Sequence, residues 1–342
     1  MCAGGQAAPL AGGLLAFTHG KLVSPDKAGR QRTSIHPIGE LIAAAAETAD
    51  PEAVRACLAR LVEPTHPYVD TVISGPSGRP LVMGVLNVTP DSFSDGGDYA
   101  DTDTAIAHGR ALHAAGADLI DVGGESTRPS ATPVTVEAEI CRVMPVVTAL
   151  AGEEIPVSID TRRAAVMDEA IAAGATVVND VSALQFDPAA LDVVAASAAS
   201  VILMHMQGAP ETMQAAPHYD DVVLDVYAAL ARRVAACEAA GIDRSRICVD
   251  PGIGFGKTVA HNMALISALG TFHGLGCAVA IGVSRKSFID AVAGTTQPKD
   301  RLAGSLAAML TALDQGAQIV RVHDVAKTVQ AVALWREAQM AP

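Results

Sequence analysis

The sequence predicts a (β/α)8 barrel, an α/β fold, preceded by a small, mainly helical N-terminal extension. From Arg79 onward, short apolar segments alternate with Ala-rich amphipathic segments, and each apolar segment ends in a polar residue or a glycine. Eight such strand–helix units in about 260 residues match a barrel in both number and length. We therefore divide the chain into an extension, residues 1–78, and a barrel, residues 79–342.

The eight predicted strands are short and almost wholly apolar, as expected of parallel strands covered on both faces. They are Leu81–Asn87, Leu119–Gly123, Pro156–Asp160, Thr176–Asp180, Val201–His205, Ile247–Asp250, Ala278–Ser284 and Gln318–His323. Helical periodicity predicts helices at Asp103–Ala115, Val136–Leu150, Arg163–Ala173, Tyr219–Ala240 and Asp300–Gln315. Four helices run into a glycine that acts as a C-cap before the next strand, namely Gly116, Gly174, Gly241 and Gly316.

Residues 1–78 do not follow this repeat. Asp50-Pro51-Glu52 predicts a helix start, with Asp as N-cap and Pro at the first helical position, and helical spacing continues to Leu61. We expect this extension to cover the barrel bottom or to add to an interface. The alternative fold is an open doubly wound sheet, which usually carries a glycine-rich turn after its first strand. The turn here runs from Asn87 to Phe93 without a glycine, which favours the barrel.

Net charge, cysteine spacing and hydropathy exclude several classes of function. A net charge of -13 would repel a phosphate backbone, so general nucleic-acid binding is not expected. The six cysteines form no CxxC pair, which indicates free thiols in a reducing cytoplasm. The N-terminus lacks the basic segment of a secretory signal, and no apolar run reaches the roughly 18 residues of a membrane span. We expect a cytoplasmic protein that binds neither nucleic acid nor membranes.

Polar side chains stand at every strand end, and in a parallel barrel these ends open onto the face that carries active sites. A single strand-end Asp or Asn often only caps the next helix, but a complete ring of polar ends favours a functional face. Asp160, Asn179 and Asp250 offer acceptors and an amide suited to a flat heterocycle with several N–H donors, and Lys286 can donate to the same ring.

A second chemical group at the strand ends suits an anion. Thr127, Arg128, Arg321 and His323 carry donors that match phosphate oxygens. Hard oxygen ligands for Mg²⁺ come from the first strand end and its loop, at Asn87, Asp91 and Asp95. Together the two groups predict a site for a ring that bears a diphosphate tail.

Two features that suggest a ligand site have a simpler interpretation. Gly252–Thr258 looks like a phosphate-binding P-loop, but the pattern requires a glycine where Pro251 stands. We interpret the segment as a flexible loop at the barrel mouth, with Phe255 available to pack on a ligand. His205 has no second His or Cys at metal-ligand spacing, so we interpret it as a hydrogen-bonded core histidine.

The sequence resembles the dihydropteroate synthase family. Two long motifs carry the resemblance, Met83–Gly97 (MGVLNVTPDSFSDGG) and Asp121–Pro129 (DVGGESTRP). Further matches follow in family order at Ser158–Thr161, Asn179–Val181, Met204–Gly208, Asp250–Lys257, Ser284–Phe288 and Arg321–Val325. The resemblance covers roughly residues 80–338, and long motifs at all eight strand ends make it specific.

The resemblance implies a role for each matched residue. Asp160, Asn179, Met204, Asp250 and Lys286 would bind a dihydropterin. Thr127, Arg321 and His323 would bind its diphosphate, and Asn87 would ligate Mg²⁺ with help from Asp91 and Asp95. Phe93, Arg128, Pro129, Phe255 and Ser287 would frame a pocket for p-aminobenzoate, and Asp91, Phe93, Asp95, Arg128 and Lys286 would act in catalysis. The implied enzyme is a homodimer that condenses the two substrates and releases diphosphate.

The sequence departs from the family pattern in two places. Ser130 stands where the family more often has glycine, and the N-terminal extension is longer than usual. Two other hypotheses remain open. A methyltetrahydrofolate-dependent methyltransferase would not need Thr127–Pro129, Arg321 and His323, and a non-catalytic pterin-binding relative should have lost loop residues that are present here.

Overall fold

The computed structural model describes residues 7–25, 31–46, 48, 50–63, 79–88, 98–125, 134–208 and 212–341. In the extension, β1 (Ala8–Pro9) pairs antiparallel with β2 (Ala16–Phe17), and β3 (His19–Pro25) with β4 (Gln31–Pro37). Two helices follow, α1 (Ile38–Ala45) and α2 (Pro51–Val62). The predicted start of α2 is confirmed, because Asp50 accepts a hydrogen bond from the backbone N–H of Ala53 at 2.9 Å. The antiparallel strand pairs were not predicted, so the described part of the extension contains strands as well as helices.

Eight parallel strands close into a barrel in which each strand pairs with its neighbours in chain order. They are β5 (Leu81–Asn87), β6 (Leu119–Gly123), β7 (Val157–Asp160), β8 (Val177–Asp180), β9 (Ser200–Met204), β10 (Ile247–Asp250), β11 (Ala278–Ile281) and β12 (Ile319–Val322). The barrel prediction is confirmed, and the open sheet is excluded because β12 pairs with β5. β11 ends before the predicted Ser284, which therefore lies in the loop that follows.

Nine helices of the described barrel residues surround these strands. They are α3 (Asp98–Ala114), α4 (Val136–Gly152), α5 (Ala164–Ala172), α6 (Ala190–Ala196), α7 (Val222–Ala239), α8 (Val259–Ser267), α9 (Ser287–Ala293), α10 (Leu302–Asp314) and α11 (Val325–Met340). The repeat predicts a helix after each strand, but it gave no bounds for α6, α8, α9 and α11. Two of these, α6 and α9, have seven residues each, too few to show a helical period. The capping box of α8 uses His261, where the familiar signature has Glu or Gln.

The core consists of two layers separated by the barrel wall. Side chains alternate along each strand, so every second residue points inward. The inner layer is apolar and fills the lower part of the barrel, with Leu81, Met83, Leu119, Val177, Ile202, Cys248, Ala278, Ala280 and Ile319. The outer layer, between strands and helices, takes the alternate residues, such as Ile120 and Val122 of β6. The inward residues near the carboxyl ends of the strands lie above the apolar layer, where a site can form.

Helix α2 packs against the bottom of the barrel, opposite the face of the strand ends. The guanidinium of Arg60 donates to the carbonyl oxygen of Gly274 at 3.2 Å, and Cys57 Sγ lies 3.9 Å from the hydroxyl of Tyr227. These contacts agree with the expected covering role of the extension. The predicted domain boundary between residues 78 and 79 adjoins residues outside the described part of the chain and stays a prediction. Among the described residues, no helix is both long and apolar enough to cross a bilayer.

The four glycine C-caps are confirmed, since each has a φ between 90° and 108°, where side chains with a Cβ are strained. Gly241 and Gly316 form a matched pair because their φ angles are 91° and 90°. An added Cβ at Gly241 would meet nothing within 4 Å. At Gly316 it would lie 2.7 Å from Nε2 of His273 and 2.8 Å from Cδ2 of Leu10 in the extension.

We predict that Gly316→Ala destabilises the protein more than Gly241→Ala. Gly241→Ala should lower the free energy of unfolding by about 1 kcal/mol, because it adds backbone strain alone. Gly316→Ala should cost roughly 1–3 kcal/mol more, because the new methyl group also overpacks the contact between barrel and extension. Urea unfolding of both variants measures the difference, and equal losses would contradict the packing of Leu10 against the barrel bottom.

Candidate active site

An ion-pair cluster lies at the centre of the barrel mouth. Arg321 of β12 donates from Nε to Asp121 Oδ2 at 2.6 Å and from Nη2 to Asp160 Oδ2 at 2.7 Å. The side-chain amide of Asn179 donates to the same oxygen of Asp121 at 3.1 Å. Asp160 of β7 and Asn179 of β8 are also paired in the strand register. One guanidinium thus joins two carboxylates from two other strands, and an amide completes the cluster.

Burial sets the protonation behaviour of this cluster. Burial raises the pKa of Asp160 to about 7, against the opposing charge of Arg321 and with a further contribution from Asp121. Burial alone would lower the pKa of Arg321, but the charges of Asp121 and Asp160 outweigh it and hold that pKa above its ordinary value. Arg321 therefore stays charged, and Asp160 can accept hydrogen bonds as a carboxylate only above about neutral pH.

Lys286 and Asp250 lie on the other side of the mouth. The ammonium of Lys286 donates to the carbonyl oxygen of Ile253 and lies 4.7 Å from the ring centroid of Phe255. Asp250 accepts from the backbone N–H of Gly252 at 2.7 Å. Burial lowers the pKa of Lys286 to about 8, opposed by the charge of Asp250. Burial raises the pKa of Asp250, opposed by Lys286 and by that N–H group.

The Arg321 cluster and the Lys286 side of the site lie on either side of Gly282. An added Cβ there would lie 3.8 Å from Cβ of Arg321 and 3.8 Å from Nζ of Lys286. The buried side chain of Met204 stands beside Asp250 in the strand register. Asp160, Asn179, Asp250 and Lys286 therefore line one common mouth, as the sequence predicted.

Two buried polar atoms beside the cluster lack protein partners. Oδ1 of Asp121 and Oγ of Ser158 form no hydrogen bond within the described part of the chain. A buried polar atom without a hydrogen-bond partner destabilises the folded protein, so such atoms in a cleft mark places where a ligand or water completes the hydrogen bonding. The arrangement of acceptors, an amide and two cations suits a flat, donor-rich ring next to an anion.

His323 and Ser287 occupy the rim. His323 contacts Ser284 twice, through its backbone N–H at 3.2 Å and its Nδ1 at 3.0 Å. Ser287 is exposed at the first position of α9, with Lys286 at the N-cap. The first turn of a helix offers unsatisfied N–H groups, which favour an anionic ligand group such as a carboxylate.

Asn87 ends β5 at the level of Gly123 and is partly buried. Within the described residues, no group of three or more His, Cys, Asp or Glu side chains could hold a metal ion. Mg²⁺ typically takes one or two protein oxygens and completes its shell with water and substrate phosphate, so a single amide oxygen fits that ion and not a cage-bound metal.

Seven residues named by the sequence analysis lie outside the described residues. They are Asp91, Phe93, Asp95, Thr127, Arg128, Pro129 and Ser130. The two residues that flank the segment 126–133, Glu125 and Val134, are described. Arg163 donates to Glu125 Oε1 at 2.9 Å and to the carbonyl oxygen of Val134 at 2.6 Å, so one side chain holds both flanking residues. Arg162 binds the same carboxylate at 3.1 Å, and all three charged side chains are almost wholly buried.

Some strand-end residues serve the scaffold. Asp180 points away from the mouth and accepts from Ser182 N at 2.7 Å and from Leu184 N at 2.8 Å, so it shapes the following turn. Arg285 pairs with Asp324 at 2.9 Å. Conversely, Asp121 is fully buried and central to the cluster, although no role was predicted for it. The available signal was a lone carboxylate within the otherwise apolar strand Leu119–Gly123.

Comparison with known proteins identifies a family and several relatives. Residues 83–323 match a protein family described as pterin binding enzyme. The Escherichia coli dihydropteroate synthase is 48% identical over 255 residues, which span 74% of this chain and 90% of that protein.

Two solved structures from Xanthomonas albilineans are also similar. A dihydropteroate synthase with 4-aminobenzoic acid has 50% identity and a TM-score of 0.73, and covers 77% of this chain and 94% of its own. A dihydropteroate synthase in complex with 7,8-dihydropteroate has 48% identity and a TM-score of 0.71, and covers 77% of this chain and 95% of its own.

We predict a pH dependence of stability that arises from Asp160. The pKa of this carboxyl is about 7 in the folded protein, against an ordinary value of 3.8. Between about pH 4 and pH 7 the folded protein keeps a proton that the unfolded chain has released. Stability from this group is therefore fully present below pH 4 and is lost as the pH rises through 7. Asp160→Asn should weaken the fall in the free energy of unfolding across this window.

Urea unfolding at several pH values tests this prediction. The exposed Asp192 on α6 supplies the control, because Asp192→Asn changes a carboxyl that water already solvates. An Asp160→Asn variant with the same slope as the parent protein would show that Asp160 is ionised throughout the window.

Proposed function

Because the chain belongs to the dihydropteroate synthases within the family of pterin-binding enzymes, we propose that its barrel mouth binds (7,8-dihydropterin-6-yl)methyl diphosphate next to p-aminobenzoate. The chain is a transferase of folate biosynthesis that produces 7,8-dihydropteroate and diphosphate. The observation that carries the assignment of the site is the cluster in which Arg321 joins Asp121 and Asp160, with Asn179, Asp250 and Lys286 around the same mouth.

The reaction forms one C–N bond and breaks one C–O bond. The aryl amine nitrogen of p-aminobenzoate attacks the methylene carbon of the dihydropterin, diphosphate leaves with the electron pair of the C–O bond, and the new secondary amine loses a proton. Charge builds up on both the leaving oxygens and the methylene carbon, so the site must stabilise an anion and a developing cation together.

The dihydropterin lies, in this proposal, among Asp160, Asn179, Asp250, Met204 and Lys286. The carboxylates accept from the ring's N–H groups, Asn179 both donates and accepts, and Lys286 donates to a ring carbonyl or nitrogen. Met204 is buried beside Asp250 and offers an apolar contact to the ring face. The negative charges of the carboxylates also favour positive charge on the pterin as the leaving group departs.

We propose that the diphosphate lies between Arg321 of the central cluster and His323 of the rim, with Thr127 as a further donor that the family resemblance implies. Arg321 keeps its positive charge at all relevant pH values, which suits a group that must accompany a departing anion. We propose that Asn87 holds Mg²⁺ with help from Asp91 and Asp95. When bound, Mg²⁺ neutralises part of the charge on the diphosphate oxygens.

The second substrate lies between the ring of Phe255 and the start of α9 in this proposal. Phe255 supplies an aromatic face beside Lys286, and the exposed Ser287 with the first N–H groups of α9 suits the carboxylate of p-aminobenzoate. Phe93, Arg128 and Pro129 complete this pocket. We assign catalytic roles to Asp91, Phe93, Asp95, Arg128 and Lys286, as the family resemblance implies.

We further propose that the enzyme is a cytoplasmic homodimer. Five cysteines of the described residues carry free thiols, which fits a reducing compartment. The dimer rests on the family likeness, and light scattering of the purified protein at several concentrations tests it directly. A mass of one subunit at every concentration would contradict it.

We predict that Lys286→Ala and Asp160→Ala lower kcat/KM by at least about a hundredfold, because each removes a group that contacts the ring in the transition state. The measurement is a coupled assay of diphosphate release with the dihydropterin diphosphate, p-aminobenzoate and Mg²⁺. The control is His113→Ala on the outer helix α3, where the side chain is exposed. A parent protein without activity, or variants that retain full activity, would contradict the proposed site.

We predict that Asn87→Ala raises the Mg²⁺ concentration needed for half-maximal activity. The amide oxygen is a direct ligand in the proposal, and its loss weakens Mg²⁺ binding without removing any pterin contact. Titration of activity with Mg²⁺ measures the shift, and isothermal titration with a dihydropterin that lacks the diphosphate checks that ring binding is unchanged. An unaltered Mg²⁺ requirement would exclude Asn87 as a ligand.

A further inference from the structure

The segment 251–257, between β10 and α8, touches the segment that follows β9. An added Cβ at Gly252 would lie 1.9 Å from the carbonyl oxygen of His205, and one at Gly256 would lie 2.5 Å from the carbonyl oxygen of Gln207. Gly252 and Gly256 also have φ angles of 70° and 60°. Glycine is needed at both positions, because only a residue without a Cβ permits this contact between two backbones.

Lys257 lies buried between these two segments, with 3% of its surface exposed. Its ammonium group has three acceptors nearby: the carbonyl oxygen of Phe255 at 2.9 Å, the carbonyl oxygen of His205 at 3.3 Å and Nδ1 of the His205 ring at 3.1 Å. An ammonium has three N–H donors and no acceptor, so these groups can use all of its hydrogen bonds. Lys257 therefore joins the segment after β9 to the segment after β10.

The chemistry of His205 agrees with this pairing. Burial lowers the pKa of His205 to about 3, and the charge of Lys257 adds to the shift, so the ring is neutral and its Nδ1 can accept. Burial also lowers the pKa of Lys257 to about 7, opposed by the carboxylate of Asp250. A cation taken out of water loses much favourable hydration, and the three acceptors replace it.

Tyr219 supports the same junction from outside. Its hydroxyl donates to the carbonyl oxygen of Gly256 at 2.9 Å, and its ring centroid lies 6.0 Å from the ammonium of Lys257. Two further bonds hold the middle of the segment at Gly254, which donates to Asn262 at 2.7 Å and accepts from Gln214 at 2.6 Å. The segment that the sequence analysis interpreted as a flexible loop is thus fixed at several points.

The segment held by Lys257 carries groups of the active site. The carbonyl oxygen of Ile253 accepts from Lys286, and the ring of Phe255 lies beside the same ammonium. An added Cβ at Gly254 would lie 3.1 Å from Cδ of Lys286. A shift of the segment would therefore displace both Phe255 and a hydrogen-bond partner of Lys286.

We propose that Lys257 is a positioning residue, which holds Ile253 and Phe255 where Lys286 and the p-aminobenzoate ring require them. The inference rests on the proposed function and adds to it a residue that acts from behind the site. The lysine that ends the P-loop-like segment faces protein carbonyls and a histidine, so its role is to join two loops of the barrel mouth and not to bind phosphate.

The test is steady-state kinetics of Lys257→Met, which keeps the length of the side chain and removes the three donors. We expect kcat/KM for p-aminobenzoate to fall at least about tenfold, the ratio that corresponds to about 1.4 kcal/mol. The affinity for a dihydropterin without diphosphate, measured by isothermal titration, should change less. Of the ring contacts proposed above, Asp250 and Lys286 adjoin the segment, but Asp160 on β7 and Asn179 on β8 lie away from it and would still hold the ring.

Arg246→Met is the matched control at the other end of the barrel. Arg246 also donates to backbone carbonyls of another segment, at 3.0 Å to Val194 and 3.1 Å to Ala199. Its loss should reduce stability while both KM values stay at the parent level. Hydrogen exchange of residues 251–256 gives a second readout, since Lys257→Met should accelerate exchange there and leave β7 unchanged, whereas general destabilisation would accelerate both.

His205→Leu covers the case in which Lys257→Met does not fold. It removes one acceptor of three, so a smaller fall in kcat/KM for p-aminobenzoate supports the proposal. Where Lys257→Met does fold, the double variant should lose less transition-state stabilisation than the sum of the two separate losses. Parent-like kinetics with p-aminobenzoate in both variants, or equal losses in Arg246→Met, would overturn it. Failure of the proposed function would look different, because the parent protein itself would then release no diphosphate.

Discussion

The alternation of side chains along eight parallel strands is the constraint on which the rest of the structure depends. Each strand sends every second residue inward, and the lower inward positions are apolar, as in Leu119 of β6. Two residues further along the same face stands Asp121, and other inward positions, on β7 and β12, hold Asp160 and Arg321, which bond within the same cluster. A shift of one residue in any strand would turn these charges toward the helices. The filled apolar layer below closes the barrel and leaves the upper end as the place where a ligand can bind.

Burial of the charged cluster has consequences for the chemistry. Removal of water raises the pKa of Asp160 and lowers that of Lys286, whereas Arg321 keeps its charge because two carboxylates surround it. The mouth therefore contains one permanent cation next to groups that titrate near neutral pH. Such an arrangement suits a neutral ring with N–H donors at one end and an anionic leaving group at the other, since the protein dipoles and charges are oriented before the substrate arrives.

Much of this architecture could be predicted from the sequence. The repeat of apolar and amphipathic segments predicted the barrel, because strands and helices have different periods and the sequence shows both. Three strands, β5, β6 and β10, have the predicted bounds. Converging strand ends could be predicted from topology alone. What escaped prediction depends on contacts between distant segments. His205, the partner of Lys257, lies 52 residues away in the sequence, and Asp121, the partner of Arg321, lies 200 residues away. No local sequence pattern indicates either contact. In the extension, β1 and β2 were missed because they have two residues each, whereas β3 and β4 have seven residues each and were missed although their length suffices for a strand signal.

The buried side chain of Arg163 has a consequence for how the second active-site segment can evolve. It binds Glu125 and Val134, so the two ends of the segment 126–133 are tied to one guanidinium and, through it, to the barrel wall. Closing a loop costs entropy that grows only with the logarithm of its length, so one inserted residue would change this cost by on the order of 0.1 kcal/mol. The length of the segment between the ties can thus change at little entropic cost while the frame at its two ends keeps its shape, whereas the roles proposed for Thr127, Arg128 and Pro129 restrict its composition.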